Sequence, residues 1–281
     1  MRFGIREICD VVLKAKATVT IGTQTFQEGQ PVIYFDSLKT STMEGAATTV
    51  YAQGGRGNSR LVAWEGERTV TFTMEDALIS EMGIAVLTGA GLITADTNNT
   101  VYVHTTSQHQ LDESTKSVTV NFDEDINATQ KAWGLILDAK GNVIETIAIT
   151  PSDNSLTATA TDTVKEKAKA VIFDFYVERK TGAFQIEITP DKFAGNYYLE
   201  ASTLFRDTDG KDHPAEFIIP NCKIQSNFTF TMASSGDPST FTFTMDAFPD
   251  YTKFDYSKKV LSVIQVIEDE TDGILADKAT S

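Results

Sequence analysis

Cysteine, histidine and cationic residues are all scarce in this chain of 281 residues, and each shortage excludes something. The two cysteines, Cys9 and Cys222, lie far apart and in no metal-ligand spacing. That rules against a disulfide scaffold and suits a reducing compartment of synthesis, with both thiols buried or inert. Lys and Arg number 24 against 39 Asp and Glu, a formal net charge of −15. A surface built to grip nucleic acid needs clustered cations, so that class is disfavoured, although a surface past which DNA slides is not. No apolar run approaches the ~18 residues of a membrane span. The first residues, Met1 to Glu7, lack an apolar signal core, so the expectation is a soluble product without a secretion signal. The length suffices for one large β domain or two smaller ones, with a core that needs no staples.

The residues that could carry catalysis fail physical tests. Nucleophilic triads need a base, yet His104, His109 and His213 are read in or beside turns, with no Gly-x-Ser-x-Gly elbow near them. The spacing of His104 and His109 is wrong for a helical zinc pair, and Val101-Tyr102-Val103 points to a strand. Asp207-Thr208-Asp209-Gly210 has the oxygen density of a calcium loop but no distal bidentate Glu, so it is read as a hairpin tip. Gly54-Gly55-Arg56-Gly57 lacks the Lys-Ser or Lys-Thr and the strand-to-helix transition of a phosphate loop. No catalytic residue, metal site or cofactor is expected.

What the chain does have is repetition. Phe-Thr-Phe-Thr-Met occurs at Phe228 to Met232 and again at Phe241 to Met245, and Val70-Thr71-Phe72-Thr73-Met74 is a near copy. Strand side chains alternate between faces, so each copy has a dry Phe/Met face and a hydroxyl face. The loop from Ala233 to Thr240, rich in Gly, Asp, Pro and Ser, is expected to join the last two copies as a hairpin. Short strands are predicted at Val11 to Leu13, Ala17 to Ile21, Thr25 to Gln27 and Pro31 to Phe35. Further strands are predicted at Leu61 to Trp64 and Arg68 to Met74, separated by Glu65-Gly66-Glu67. Ser37 to Ser59, rich in Thr, Ala, Gly and Ser, is expected to be a long exposed loop, and loops of that length are usually functional. One helix is predicted from about Glu75 to a stop at Gly89. Evenly spaced strands from Val101 to Thr161 suggest a small inserted sandwich, immunoglobulin-like in spacing. The expected domains are therefore 1–99 and 170–281 for a larger β domain and 100–169 for the insertion. Val260 to Ile267, apolar on both faces, is predicted as a central strand. The fold class is all-β: a β-sandwich or open barrel with one flanking α-helix, plus the inserted sandwich.

The stretch Asn227 to Pro249 resembles the C-terminal hairpin of bacteriophage major tail or tail tube proteins. Thr49-Val50-Tyr51-Ala52-Gln53-Gly54-Gly55-Arg56-Gly57, leading through Trp64 to Val70-Thr71-Phe72-Thr73-Met74-Glu75-Asp76-Ala77, resembles the same family. The resemblance covers about 1–97 and 170–281. It implies a structural virion protein, synthesised in the host cytoplasm, whose copies join sheets into hexameric rings that stack into a tube for the genome. It implies as partners other copies of itself, a tape measure protein inside, and sheath, tail terminator and baseplate proteins, with DNA passing transiently and no membrane insertion. On that reading Thr42, Met43, Glu44, Gln53, Gly54, Gly55, Arg56, Gly57 and Asn58 form a subunit or ring contact loop. Gly236, Asp237 and Pro238 form a second contact, and Thr71, Thr229, Thr231, Thr242 and Thr244 face the lumen. The acidic balance would give a lumen that repels phosphate. The alternative is a virion decoration or adhesin module that binds host carbohydrate, with Tyr102, Trp133, Tyr176, Tyr197 and Tyr198 as stacking rings.

Overall fold

A computed structural model describes residues 2–89, 91–229, 234–235 and 240–268. Among them the chain is almost entirely strand, with one short helix. It divides into two compact units, one drawing on Met1–Leu92 and the chain from Ile186 onward, the other on Ile93–Gln185. The leading stretch holds β1 (Phe3–Ile5), β2 (Asp10–Ala15), β3 (Val19–Ile21), β4 (Gln24–Phe26), β5 (Pro31–Phe35), β6 (Leu38–Gly54) and β7 (Ser59–Asp76). Helix α1 (Glu81–Thr88) and β8 (Gly91–Thr94) follow. Then come β9 (Val101–Gln110), β10 (Ser117–Asn121), β11 (Ala132–Leu137), β12 (Val143–Ile149), β13 (Ser155–Thr159) and β14 (Ala170–Arg179). The chain closes through β15 (Phe184–Glu187), β16 (Asn196–Asp207), β17 (Asp212–Ile224), β18 (Phe241–Ala247) and β19 (Val263–Val266).

The first unit is organised by one antiparallel sheet in the order β5-β2-β16-β17-β18-β7-β6, with β1 added on β16 and β19 on β17. Period-2 patterning places Val11, Leu13 and Ala15 of β2 and Tyr197, Leu199 and Ala201 of β16 on the buried face. The sequence copies meet here: Val70–Met74 lies in β7 and Phe241–Met245 in β18, paired so that Phe243 opposes Met74 and Met245 opposes Phe72. All four of those side chains are essentially inaccessible. The Phe35 ring stands edge-on to Phe243 with centroids 4.9 Å apart. Burying each such side chain stabilises the fold by roughly 1.5–3 kcal/mol.

Helix α1 begins where Ser80 Oγ accepts a hydrogen bond from the Gly83 amide at 2.9 Å, satisfying one of the orphan amides of the first turn. Gly83 is tightly placed, because a Cβ there would lie 3.1 Å from Ser80 Oγ. The helix stops at Gly89, whose φ of 66° is left-handed. A Cβ at Gly89 would fall within 2.2 Å of the Phe193 backbone, so no other residue fits. On the opposite face of the sheet, Lys253 lies 4.5 Å from the Tyr198 ring centroid, and Glu200 is shared by Lys14 and Lys253. Lys16 pairs with Asp250 at 2.9 Å. These contacts fasten the segment after β18 across β2 and β16.

The second unit is a small two-sheet sandwich. A four-stranded sheet β12-β11-β14-β9 packs on the pair β10-β13, around Ile136, Leu156, Ala158, Val171, Phe173 and Phe175.

Several expectations are corrected. Ala170–Arg179 was expected to resume the first unit, but β14 pairs with β9 and β11, and its Val171, Phe173, Phe175 and Val177 fill the second core. Ser37 to Ser59 is not a loop: β6 pairs with β7 along its length, because its Thr, Val and Tyr residues satisfy strand geometry as well as exposure. Glu65-Gly66-Glu67 does not divide two strands but lies inside β7. The helix begins at Glu81, since Glu75 and Asp76 belong to β7 and Ser80 supplies the cap. The pairing of the last two sequence copies as a hairpin is replaced by β18 between β17 and β7. Phe228 and Thr229 lie outside any strand, and Phe230 to Met232 fall outside the described residues. Val263–Val266 pairs only with β17 among the described residues and is largely exposed, so it is not a covered central strand. His104 and His109 sit in β9 and His213 in β17, not in turns.

Candidate functional site

The most conspicuous surface feature is the hairpin formed by β6 and β7. Its base belongs to the core sheet, with Met43 opposite Phe72. Beyond the Gly45–Val70 pair it leaves the core, and every residue from 59 to 69 is exposed. Ten residues from Gly45 to Gly54 at the strand rise project the arm on the order of 30 Å. The tip is Gly55-Arg56-Gly57-Asn58, where Gly55 and Gly57 have φ of 77° and 88°. The Asn58 amide donates to the Gly55 carbonyl at 3.2 Å and the Asn58 side-chain amide to Gln53 Oε1 at 3.2 Å.

Of the expected contact residues, Thr42, Met43 and Glu44 stand at the arm's base, while Gln53 to Asn58 form its tip. Along the shaft Val50 opposes Trp64 and Ala52 opposes Val62. Val50 remains 62% and Trp64 55% exposed. Tyr51 carries the Arg60 guanidinium 4.0 Å above its ring. This apolar shaft is not visible in the sequence expectations, where Val50 falls in a loop and Trp64 in a separate strand. The alternating Thr49-Val50-Tyr51 was the available signal. β6 is also the last strand of the sheet, and among the described residues it pairs only with β7. Its outer edge therefore presents a long row of backbone donors and acceptors.

The polar face at the arm's base is ordered by strand register. Thr42, Thr73 and Thr244 form one row across β6, β7 and β18. Glu44, Thr71 and Asp246 form the next, and Lys223 of β17 extends it. Thr242 stands opposite Glu75. Thr71 Oγ1 donates to Asp246 Oδ1 at 3.4 Å, and Gln225 Nε2 donates to Asp246 Oδ2 at 3.0 Å. Thr229 is not in these rows but lines a hollow of about 260 Å³ with Thr242 and Thr244. Thr231, Gly236, Asp237 and Pro238 lie outside the described residues.

Burial pushes the Cys222 thiol up to about 12 and raises Cys9 as well. His213 is buried, with Nε2 3.0 Å from Asp207 Oδ2 and Nδ1 3.3 Å from the Ile267 carbonyl. Two acceptors facing two ring nitrogens favour the imidazolium, and the His213 pKa is raised, chiefly by the Asp207 hydrogen bond. Among the described residues no cluster of three or more His, Cys, Asp or Glu could hold a metal ion. No helix there is long and apolar enough to cross a membrane.

These features define an all-β protein with, among the described residues, an open sheet edge on a projecting arm. The family model of YomU/Tube proteins matches residues 3–260, and the chain belongs to that family. Membership agrees with the resemblance to phage tail tube proteins and points to a structural tube protein of the virion. No curated protein matches the chain.

Proposed function

We propose that this protein is a tail tube subunit whose copies close into hexameric rings, stack, and enclose the channel through which the genome is delivered. The observation that carries this reading is β6, a 17-residue edge strand on an arm that reaches well beyond the core. An open edge of that length is a template for a strand from a second copy, and the pairing continues the sheet from subunit to subunit. The Val50, Val62 and Trp64 shaft then finds cover on a neighbour within the ring or in the next one, with the tip from Gln53 to Asn58 as the furthest contact. The segment Gly236-Asp237-Pro238 is a second contact.

The threonine rows suit the lumen. Hydroxyls with Glu44, Glu75 and Asp246 outnumber Lys223, the one cation named in these rows, so phosphate meets no row of cations to hold it. A tape measure protein occupies the channel before the genome, and terminator, baseplate and any sheath proteins meet the tube at its ends and outer wall. The test is electron microscopy of the purified protein over a concentration series. Six-fold rings or tubes with a central channel are expected, and a monodisperse monomer at every concentration would sink the proposal.

A further inference from the structure

The second unit carries a surface that the tube reading does not use. In the four-stranded sheet the register places Tyr102 opposite Glu178, His104 opposite Tyr176 and Trp133 opposite Asp174. Tyr102, Tyr176 and Trp133 therefore lie on one diagonal across three adjacent strands, each about 7–8 Å from the next. All three point away from the core and are 55%, 41% and 44% exposed. Tyr197 and Tyr198, the other two rings considered for stacking, are buried in the first unit and drop out.

The rings are held in place by what surrounds them. His104 Nε2 lies 2.9 Å from Asp174 Oδ1, and the imidazole meets the Tyr176 ring edge-on at 5.6 Å. Beside Tyr102 and Tyr176 a groove of about 470 Å³ is completed by Asn127, Thr129 and Gln130. Asn127 is buried and fixed: its Nδ2 donates to Glu178 Oε1 at 2.9 Å, and its Oδ1 accepts from Thr129 Oγ1 and the Gln130 amide. The groove's size falls in the range of small-molecule sites, roughly 300–1,000 Å³.

The chemistry of the lining selects the occupant. Among the described residues no Lys or Arg lines the groove, so a phosphate or polyanion finds no counter-charge there. No aliphatic side chain lines it either, so an acyl chain is poorly served. Two aromatic side chains with two amides and a hydroxyl suit a ligand that has apolar C–H faces and neutral hydroxyls around its edge, which is a pyranose ring. We infer that this face of the second unit is a binding site for a neutral glycan, with Tyr102 and Tyr176 stacking on sugar rings at the groove and Trp133 extending the platform. His104 and Asp174 position Tyr176 and do not carry the stacking themselves.

The test uses the full-length protein with Trp64→Phe, so that Trp133 is the sole tryptophan reporter. Chitohexaose, cellohexaose and maltohexaose are titrated separately while fluorescence and saturation-transfer NMR are recorded. At least one is expected to bind saturably, with Tyr102→Ala and Tyr176→Ala each weakening it by about tenfold and Tyr→Phe at either position leaving it largely intact. Circular dichroism of the variants reports folding, which these exposed positions should not disturb. The inference is overturned if none of the three sugars binds, or if binding survives the Tyr102→Ala, Tyr176→Ala double change. It also falls if assembly of the unliganded protein shields Trp133 from acrylamide, because a second copy then covers the face. The sugar titrations do not depend on tube formation, which microscopy scores separately; only the acrylamide measurement requires the assembled protein.

Discussion

Replacing Val50, Val62 and Trp64 together with serine separates folding from assembly. In the isolated subunit these side chains lie on the arm, where the register sets Val50 opposite Trp64 and Val62 opposite Ala52. Losing two cross-strand pairs costs about 1–2 kcal/mol at most, and that cost falls on the arm, outside the core. The cost to assembly is larger. The three side chains are 62%, 49% and 55% exposed, so about half of their burial is still to be gained. At roughly 1.5–3 kcal/mol for full burial of each, half of the sum is about 2–4 kcal/mol per arm. Ordering the side chains offsets part of this and leaves about 1–3 kcal/mol. That corresponds to roughly a 5- to 150-fold rise in the protein concentration needed for assembly. Light scattering across a dilution series measures this threshold, and a urea melt of the subunit checks that the core is intact. A triple variant that assembles at the wild-type threshold would refute the arm's role. A variant that melts like an unfolded chain would refute its independence from the core.

Phe243→Ala removes a fully buried ring from the junction of β7, β18 and Phe35 and should cost about 3–5 kcal/mol in denaturant unfolding. Because the folded pKa of His213 is raised, its contribution is present in full below the ordinary value of 6.5 and fades as pH rises through the folded pKa. Asp207, whose pKa is lowered chiefly by the same hydrogen bond, loses its contribution as pH falls through that lowered value. Hydrogen exchange at Ile267, whose amide donates to the Pro214 carbonyl, should therefore quicken as pH rises from 6 to 9 beyond the intrinsic base-catalysed increase. That excess should vanish in His213→Gln. A thiol reagent at pH 8 should leave Cys9 and Cys222 unlabelled in the folded protein and label both in denaturant, since both are buried and burial raises both thiols.

The all-β class was legible because Val70–Met74 and Phe241–Met245 have the period of a half-buried strand, and both lie in strands. The partners of those strands were not, because period says which face is dry and nothing about which strand lies beside it. Thus Phe241–Met245 pairs with Phe72–Asp76, overlapping the upstream copy from which it is separated by more than half of the chain. The arm was misjudged for a related reason. Thr, Ala, Gly and exposed polar residues are also what a strand needs when both faces meet solvent, so composition alone could not separate arm from loop. The imidazole of His213 was assigned to a turn because Asp-Gly lies three residues upstream. Its burial comes from Phe3 and Ile267, which no local pattern connects to it.

The pairing of β7 with β18 has a consequence for synthesis. Thr71 and Asp246, joined by a hydrogen bond, are 175 residues apart, so the first unit's sheet cannot close until nearly the whole chain has left the ribosome. The second unit is complete much earlier, and its flanking strands β8 and β15 pair with each other. Folding it first draws together the ends of a long loop and roughly halves the loop that remains. Each halving is worth only about 0.6 kcal/mol. The larger effect is on timing. Until β18 docks, the β6–β7 hairpin is open on both edges, and the β7 edge is a slot that another strand can fill. The last strands to emerge thus complete the first unit, whose sheet stays unfinished until translation is almost over.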